Sequence, residues 1–461
     1  MSLQASPVSA AATAHGRVPY GFSRRFLTAL LLGLLWLIPA WQFREAIAGM
    51  FLWDGLLLLA WLVDLLRLPA PRLLIVERQW PEVLSLGRHA SVRLELQNNG
   101  RAPVDVSLVD ETPAMLTASP PVVELHIGAN DFASADYSVH PRVRGEIALG
   151  RAFLRYRSAL GLAEKWAVAP VAQAVRVMPD LFRARNDVLY LIRSRQVEME
   201  KRRRRRRGMG REFEALREYR QGDEMRAVCW PATARRHALV TRTFRMERSQ
   251  AVWIVLDAGR LMRTQVYDPN RGIPVAKLDY AVDASLSLAQ VANQSGDRVG
   301  LLVYGRSIQR TVPAGRGPTH LRSLLDHLVS VKIEMVEADH TLAARALLRA
   351  QTQRALIVWV TDFAETALVP EVIEHAALMT RRHLVMFAAV SQPDLKRLIL
   401  SVPETERDMF RYAAALEVAD RRERLLRRLR DRGVLTIDME PSGLADAMLN
   451  RYLEIKDRSL L

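Results

Sequence analysis

Two apolar stretches near the start of the chain, Phe26 to Trp41 and Ala46 to Leu66, are separated only by Gln42, Phe43, Arg44 and Glu45. They constrain the fold more than any other feature, because a helix that crosses a bilayer needs about 20 apolar residues. The first is marginal alone and the second adequate, so the pair reads as a transmembrane hairpin, with Trp36, Trp41, Trp53 and Trp61 as anchors at the membrane–water interface. A cleaved signal peptide is the competing reading, and it would strand the second stretch at a new N-terminus. Arg17, Arg24 and Arg25 precede the first span and Arg67 and Arg72 follow the second, which places both ends in the cytoplasm. Asp64 lies close enough to Arg67 to be interfacial. Asp54 sits deeper, where an ionised carboxylate costs about 2.5–3.5 kcal/mol at the bilayer centre. It is expected to face the other helix or an interfacial dip.

A chain of 461 residues exceeds one ordinary core and implies roughly two to four domains. Its single cysteine, Cys229, excludes an intrachain disulfide and a cysteine-based zinc site. The net charge of +16 suggests nucleic acid at first sight, but Lys201, Arg202, Arg203, Arg204, Arg205, Arg206 and Arg207 supply seven of those charges, so the excess is partly local. Such a run reads first as an exposed linker extended by its own repulsion. Contact with anionic lipid comes second, at about 1 kcal/mol per basic residue near the surface. Nucleic acid comes third, since no aromatics interleave to stack on bases.

After Pro69 to Pro71 the texture changes to short alternating runs such as Val92-Arg93-Leu94-Glu95-Leu96, punctuated by Asn98-Asn99-Gly100, Pro103, Pro113 and Pro120-Pro121. Roughly seven or eight strands fit between Leu73 and Met178, enough for an immunoglobulin-like two-sheet sandwich. From Ala251 the period changes again. Val252 to Leu256, Val299 to Tyr304, Leu356 to Val360, Leu384 to Val390 and Val434 to Ile437 read as buried strands. Helical stretches lie between them at Leu278 to Gln294, Leu321 to Val329, Leu342 to Ala350 and Glu406 to Arg430. That alternation predicts a doubly wound α/β domain with ligand sites at the carboxyl ends of its strands. The expected organisation is a basic N-terminus over residues 1–25, two transmembrane helices over 26–66, an all-β sandwich over 72–180, a basic linker and charged block over 181–245, and the α/β domain over 246–461.

The charged block contains Gly210-Arg211-Glu212-Phe213, Leu216-Arg217-Glu218-Tyr219, Gly222-Asp223, Arg226, Trp230 and Ala234-Arg235, and is followed by a strand ending in Asp257. Fixed charges alternate there with Phe213, Leu216 and Tyr219, which would share one face of a helix or ordered turn. The physical expectation is a buried ion-pair network clamping the linker to the next domain. The pattern resembles the bacterial membrane-anchored "domain of unknown function 58" family. That resemblance implies a C-terminal von Willebrand factor A-like domain, anchoring in a bacterial membrane, and genes beside those of MoxR-type AAA+ ATPases; with the hairpin, the expected location is the bacterial inner membrane, crossed twice. It implies no assigned catalytic activity. The sequence departs from the family pattern at Cys229, where Asp or Asn generally precedes the tryptophan, and at Pro231, where Lys is common.

The resemblance also implies where a metal would sit. A von Willebrand A-type domain typically binds Mg²⁺ through Asp-x-Ser-x-Ser after the first strand, a Thr from a later loop and an Asp after the fourth strand. Here Asp257 fills the first place, Gly259 and Leu261 replace both serines, and Thr341 and Asp362 fill the remaining two. Two carboxylates and one hydroxyl would hold Mg²⁺ only weakly, since that ion demands a near-octahedral oxygen shell. The expectation is therefore no cofactor, with Arg260 or Arg263 neutralising the rim.

No phosphate loop, Gly-x-Ser-x-Gly elbow or His-Glu-x-x-His helix occurs in the sequence. His237, His320, His327, His340 and His383 are scattered, and His320 and His327 would share a helix face with no third ligand. The reading is a noncatalytic membrane-anchored adaptor engaging a MoxR-type ATPase through a rim of Arg260, Leu261 and Met262. The alternatives are a metal-dependent protein-binding or sensor module and a membrane-associated nucleic-acid binder.

Overall fold

The computed structural model describes residues 8–15, 20–40, 43, 45–81, 83–180, 212–220, 225, 228–236, 238–245, 250–363, 369–458 and 460. The basic run from Lys201 to Arg207, together with Gly210, Gly222, Asp223 and Arg226 of the charged block, lies outside them. The chain divides into two compact units, Met1–Met178 and Pro179–Leu461.

Among the described residues the first unit holds eleven strands: β1 (Val8–Thr13), β2 (Gly21–Phe22), β3 (Leu74–Trp80), β4 (Ala90–Asn98), β5 (Val104–Asp110), β6 (Val122–Ile127), β7 (Asp131–Val139), β8 (Gly145–Leu149), β9 (Ala152–Arg157), β10 (Ala163–Ala169) and β11 (Gln173–Val177). They form antiparallel sheets in the orders β1-β3-β4-β7 and β2-β10-β9-β5-β6, with β8 and β11 paired beside them. Alternation dictates which face is buried. In β4, Val92, Leu94 and Leu96 point inward while Arg93 and Gln97 face solvent. The inward faces of both sheets meet in one core that joins Val76, Leu94 and Leu96 to Val106, Leu108, Leu154 and Tyr156. Arg78 of β3 crosses that core to the carboxylate of Asp110 on β5 and donates to the Val171 carbonyl at 2.8 Å, while the Tyr137 hydroxyl donates to Asp110 at 2.6 Å. Each charge removed from water is thereby matched.

Residues 1–25 were expected to be a basic tail. Residues 8–13 instead pair with β3, and Gly21 and Phe22 pair with Glu164 and Ala163 of β10. The chain thus leaves the sandwich for the helical hairpin and comes back to it. The first helical stretch is α1 (Arg24–Gly33), a 3₁₀ turn at Leu34–Trp36 and α2 (Leu37–Ala40); the second is the unbroken α3 (Glu45–Arg67). Among the described residues one helix is long and apolar enough to cross a membrane, Ile47–Arg67. The two arms pack closely because glycines face aromatic rings. A Cβ at Gly33 would stand 2.8 Å from Trp53 Cδ1, and one at Gly49 would stand 2.9 Å from the Trp36 ring. Trp53 Nε1 also donates to the Ala29 carbonyl at 3.0 Å. Asp54 faces α1, its Oδ1 lying 3.1 Å from where a Gly33 Cβ would be.

Asp64 faces neither water nor lipid directly. It is fully buried and accepts the N–H groups of Leu162 at 2.9 Å and Ala163 at 2.8 Å together with the Ser158 hydroxyl. Three donors converging on one carboxylate fasten the end of α3 to the β9–β10 turn.

The second unit contains β12 (Glu212–Glu218), α4 (Trp230–Arg236), β13 (Val240–Arg245), β14 (Ala251–Asp257), β15 (Gln265–Asp268), β16 (Ile273–Ala276), α5 (Lys277–Gln294), β17 (Arg298–Tyr304), β18 (Ile308–Gly315), α6 (Pro318–Val329), α7 (His340–Ala350), β19 (Leu356–Thr361), α8 (Val369–Thr380), β20 (Leu384–Val390), α9 (Pro393–Leu400), α10 (Glu406–Asp431), β21 (Leu435–Met439) and α11 (Leu444–Asp457). Six strands form one sheet in the order β18-β17-β14-β19-β20-β21, parallel throughout except for the antiparallel edge strand β18. This is the doubly wound arrangement expected of a von Willebrand A-like domain. Helices α7, α8 and α10 bury Leu347, Ala376 and Leu425 against one face of the sheet, among Trp253, Trp359 and Phe387. Helices α5 and α11 pack together, and α5 against β14 and β17. Because both faces are covered, β14 and β19 are buried at every residue, and these strands and β20 are runs of apolar residues instead of alternating, up to the polar ends of β14 and β19.

One local expectation fails. The block around Phe213 and Leu216 is strand β12, paired antiparallel with β13, and not a helical face. A bulge between Phe213 and Ala215 shifts the register, which accounts for the three-residue spacing from Phe213 to Leu216.

Candidate functional site

In an open parallel sheet, ligands lie beyond the carboxyl ends of the strands, where the strand order reverses. Here β14 is the first strand, and its neighbours β17 and β19 lie on opposite sides, so the reversal falls between β14 and β19. Those two strands end on Asp257 and on Thr361-Asp362.

Asp257 is buried, and both of its oxygens are engaged. Oδ1 accepts the Gly259 N–H at 2.7 Å and Oδ2 accepts the Thr361 hydroxyl at 2.6 Å. Burial pushes its carboxyl above the ordinary carboxylate range, partly opposed by nearby His340 and by those two hydrogen bonds. His340 sits at the start of α7, where Nδ1 lies 2.7 Å from the Tyr304 hydroxyl, itself the acceptor of Trp359 Nε1 at 2.7 Å. Thr341 follows it, half-buried in the same first turn. Asp362 is enclosed by cations: Lys277 Nζ lies 2.7 Å from Oδ2 and Arg422 Nη1 lies 3.0 Å from Oδ1. Arg422 also reaches Asp438 at 2.8 Å.

Lys277, the first residue of α5, is wholly buried. Its ammonium supplies next to Asp362 the positive charge that a metal would otherwise bring. These residues do not suit Mg²⁺, because Lys277 and Arg422 already set two fixed cations against Asp362, which would repel a divalent ion beside it. A serine at 259 is also excluded locally, since its Cβ would come within 2.9 Å of the Ala338 backbone nitrogen.

The expected neutralisers prove to be elsewhere. Arg260 is an exposed partner of Glu337 at 3.4 Å, and Arg263 lies 3.3 Å from Met335 Sδ. Of the three expected rim residues, Arg260 is exposed, Leu261 is half-buried and Met262 is completely buried. Met262 is therefore withdrawn from any rim surface. The exposed apolar groups there are Met335 and Val336, held in place by the hydrogen bond from the Arg260 N–H to the Val336 carbonyl at 2.9 Å. Nothing local marks them in the sequence; only the approach of the 3₁₀ turn at Arg260–Arg263 brings them into the rim.

In the charged block, Trp230 is exposed, as are Ala234 and Arg235 on α4, while Arg217 and Tyr219 are half-buried. Cys229 stands immediately before α4, and its carbonyl accepts the Thr233 N–H at 2.9 Å, the first bond of that helix. The position is thus an N-cap, a place where an Asp or Asn side chain would satisfy a free backbone N–H. Pro231 falls in the first turn, where a missing N–H is tolerated. His320 hydrogen-bonds the Val299 carbonyl at 2.7 Å, a structural role.

Residues 215–411 match the family model described as "Protein of unknown function DUF58", which bears out the resemblance carried by the charged block. The uncharacterised proteins Mb1516 of Mycobacterium bovis and Rv1480 of Mycobacterium tuberculosis are each 27% identical over 159 residues, which is 34% of this chain and 48% of theirs. The chain thus spans about half the length of these curated relatives. Among solved structures it is similar to the conserved hypothetical protein BatB from Bacteroides thetaiotaomicron, at 16% identity and a TM-score of 0.32, covering 46% of this chain and 100% of that one. It is also similar to the SpRpn10 VWA domain, at 14% identity and a TM-score of 0.28, covering 44% of this chain and 94% of that one.

Proposed function

We propose that this DUF58-type chain is a noncatalytic membrane-anchored adaptor. A two-pass hairpin holds it in the bacterial inner membrane with both ends cytoplasmic, followed by an immunoglobulin-like sandwich and the von Willebrand A-like domain. The rim of that domain engages a MoxR-type AAA+ ATPase in the assembly or maturation of a client complex. The observation that carries this reading is the internal neutralisation of Asp362 by Lys277 and Arg422. With those carboxyl oxygens satisfied from within, recognition falls to the side chains around them, Arg260, Leu261, Met335 and Val336. An apolar centre beside an arginine suits direct protein contact. Burying one Leu or Met contributes about 1.5–3 kcal/mol. The return of the chain from the hairpin to the same sandwich supports ends on one side of the membrane.

The test is capture of the ATPase by the full-length chain in detergent, with and without EDTA, under conditions in which the ATPase assembly itself survives chelation. Binding should persist, and Arg260→Glu with Leu261→Asp should weaken it by at least about tenfold with the unfolding midpoint unchanged. Undiminished binding by that folded double variant would move the interface to the sandwich or to the Arg211 to Arg235 block.

A further inference from the structure

The end of the hairpin nearest the sandwich carries a cluster of aromatic rings. Phe22 stacks on Phe26 at 4.6 Å and lies 4.7 Å from Trp61, whose other edge meets Tyr20 at 6.2 Å. Trp61 Nε1 donates to the Gly21 carbonyl at 3.4 Å, so the cluster ties α3 to β2. Just beyond it, the β9–β10 turn grips both arms. Ser23 N–H donates to the Leu162 carbonyl at 3.0 Å, Arg25 Nη1 donates to the Leu160 carbonyl at 3.3 Å, and Asp64 accepts from Leu162 and Ala163. Yet Tyr20, Phe22 and Leu160 remain exposed at 54%, 47% and 55%.

Helical rise turns these contacts into a constraint on depth. From Glu45 to Trp61 the helix extends roughly 25 Å at 1.5 Å per residue, short of the ~30 Å hydrocarbon thickness. A hairpin fastened at Trp61 and Asp64 has no slack below that level. It crosses the bilayer only if the aromatic cluster lies at the near edge of the hydrocarbon and the β9–β10 turn lies among the headgroups. Aromatic rings favour that zone, and Arg24, Arg25, Arg67 and Arg72 flank it with positive charge.

We propose that the β9–β10 turn, with Tyr20 and Phe22, is a second membrane contact, seated in the headgroup layer of an anionic phospholipid bilayer and setting the sandwich at a fixed height. This rests on the membrane-anchor reading above and adds to it that the sandwich itself touches lipid. The partner is the bilayer because the surface is continuous with the spanning helix and is basic. A protein covering the same rings is the outcome that would defeat the proposal.

The test uses the full chain in nanodiscs of phosphatidylethanolamine and phosphatidylglycerol. Cys229 is buried and would be replaced by alanine, and spin labels would be placed singly at Leu160→Cys, Tyr20→Cys, Leu58→Cys in α3 and Val122→Cys on β6. Depth is read from relaxation by oxygen against a water-soluble nickel chelate. The Leu58 label should be embedded, the Val122 label aqueous, and the Leu160 and Tyr20 labels at least threefold less accessible to nickel than the Val122 label. Leu160 and Tyr20 labels as accessible as Val122, with Leu58 embedded, would overturn the seat and leave the anchor standing. Nickel access at Leu58 would overturn the anchor and the seat together.

Discussion

Lys277 and Asp362 are 85 residues apart in sequence, yet they form a 2.7 Å ion pair with both side chains withdrawn from water. Removing one partner of a buried pair leaves the other charge uncompensated, which costs about 3–5 kcal/mol. Arg422 still faces Asp362, so Lys277→Met should destabilise the second unit by about 3 kcal/mol, the lower end of that range. Lys277→Met with Asp362→Leu should recover at least half of the loss, because Arg422 keeps Asp438 as a partner. Urea unfolding followed by tryptophan fluorescence measures both, and a single variant as stable as the parent would refute the pairing.

Asp257 gives a pH signature. Burial raises its carboxyl pKa in the folded state, so the folded protein binds that proton more tightly than the unfolded chain does. The stability it contributes is full below the ordinary carboxylate pKa and is lost as pH rises through the raised folded value. Asp257→Asn removes this dependence. The variant should therefore gain on the parent from acid towards neutral pH, by about 1.4 kcal/mol for each unit of elevation. A stability difference that is flat with pH would contradict the assignment.

For the metal, titration calorimetry on the full chain should show no specific Mg²⁺ or Mn²⁺ binding from micromolar to low millimolar concentrations. Asp257→Ala should change the unfolding midpoint and not metal affinity. A one-site isotherm abolished by Asp257→Ala would show that the carboxylates exchange their internal donors for an ion.

Topology is read by reporter fusions. Fusions at Arg67 and at Leu461 should both report cytoplasm, since basic residues flank both arms of the hairpin. A periplasmic signal at Leu461 would overturn that orientation.

Much of the second unit was legible because its strands and helices differ in period. Leu384 to Val390 coincides with β20, and Leu278 to Gln294 falls one residue short of α5. A continuous apolar run of strand length leaves few alternatives once helical periods flank it. The polar edge strand β18 and the β15–β16 hairpin carry no such signal and went unread. A bulge disguises the strand period of the charged block, and strands as short as β1 and β2 do not announce their partners in the sequence.

The sequence by itself determined the alternation that builds the doubly wound sheet, the place of Asp257 and Asp362 at the ends of β14 and β19, and the presence of Gly259 and Leu261 after Asp257, where the resemblance implies serines. Burial periodicity is local, and a few consecutive residues suffice to express it. Only the tertiary structure decided what neutralises Asp362. Lys277 begins one helix and Arg422 lies within another, and neither looks unlike any other basic residue on an exposed helix turn. A charge partner is set by which surfaces pack together, so the same side chain is a solvated lysine in one packing and a buried counter-ion in another. Asp64 shows the same dependence: its three donors come from the β9–β10 turn nearly a hundred residues away, with |i−j| from 94 to 99.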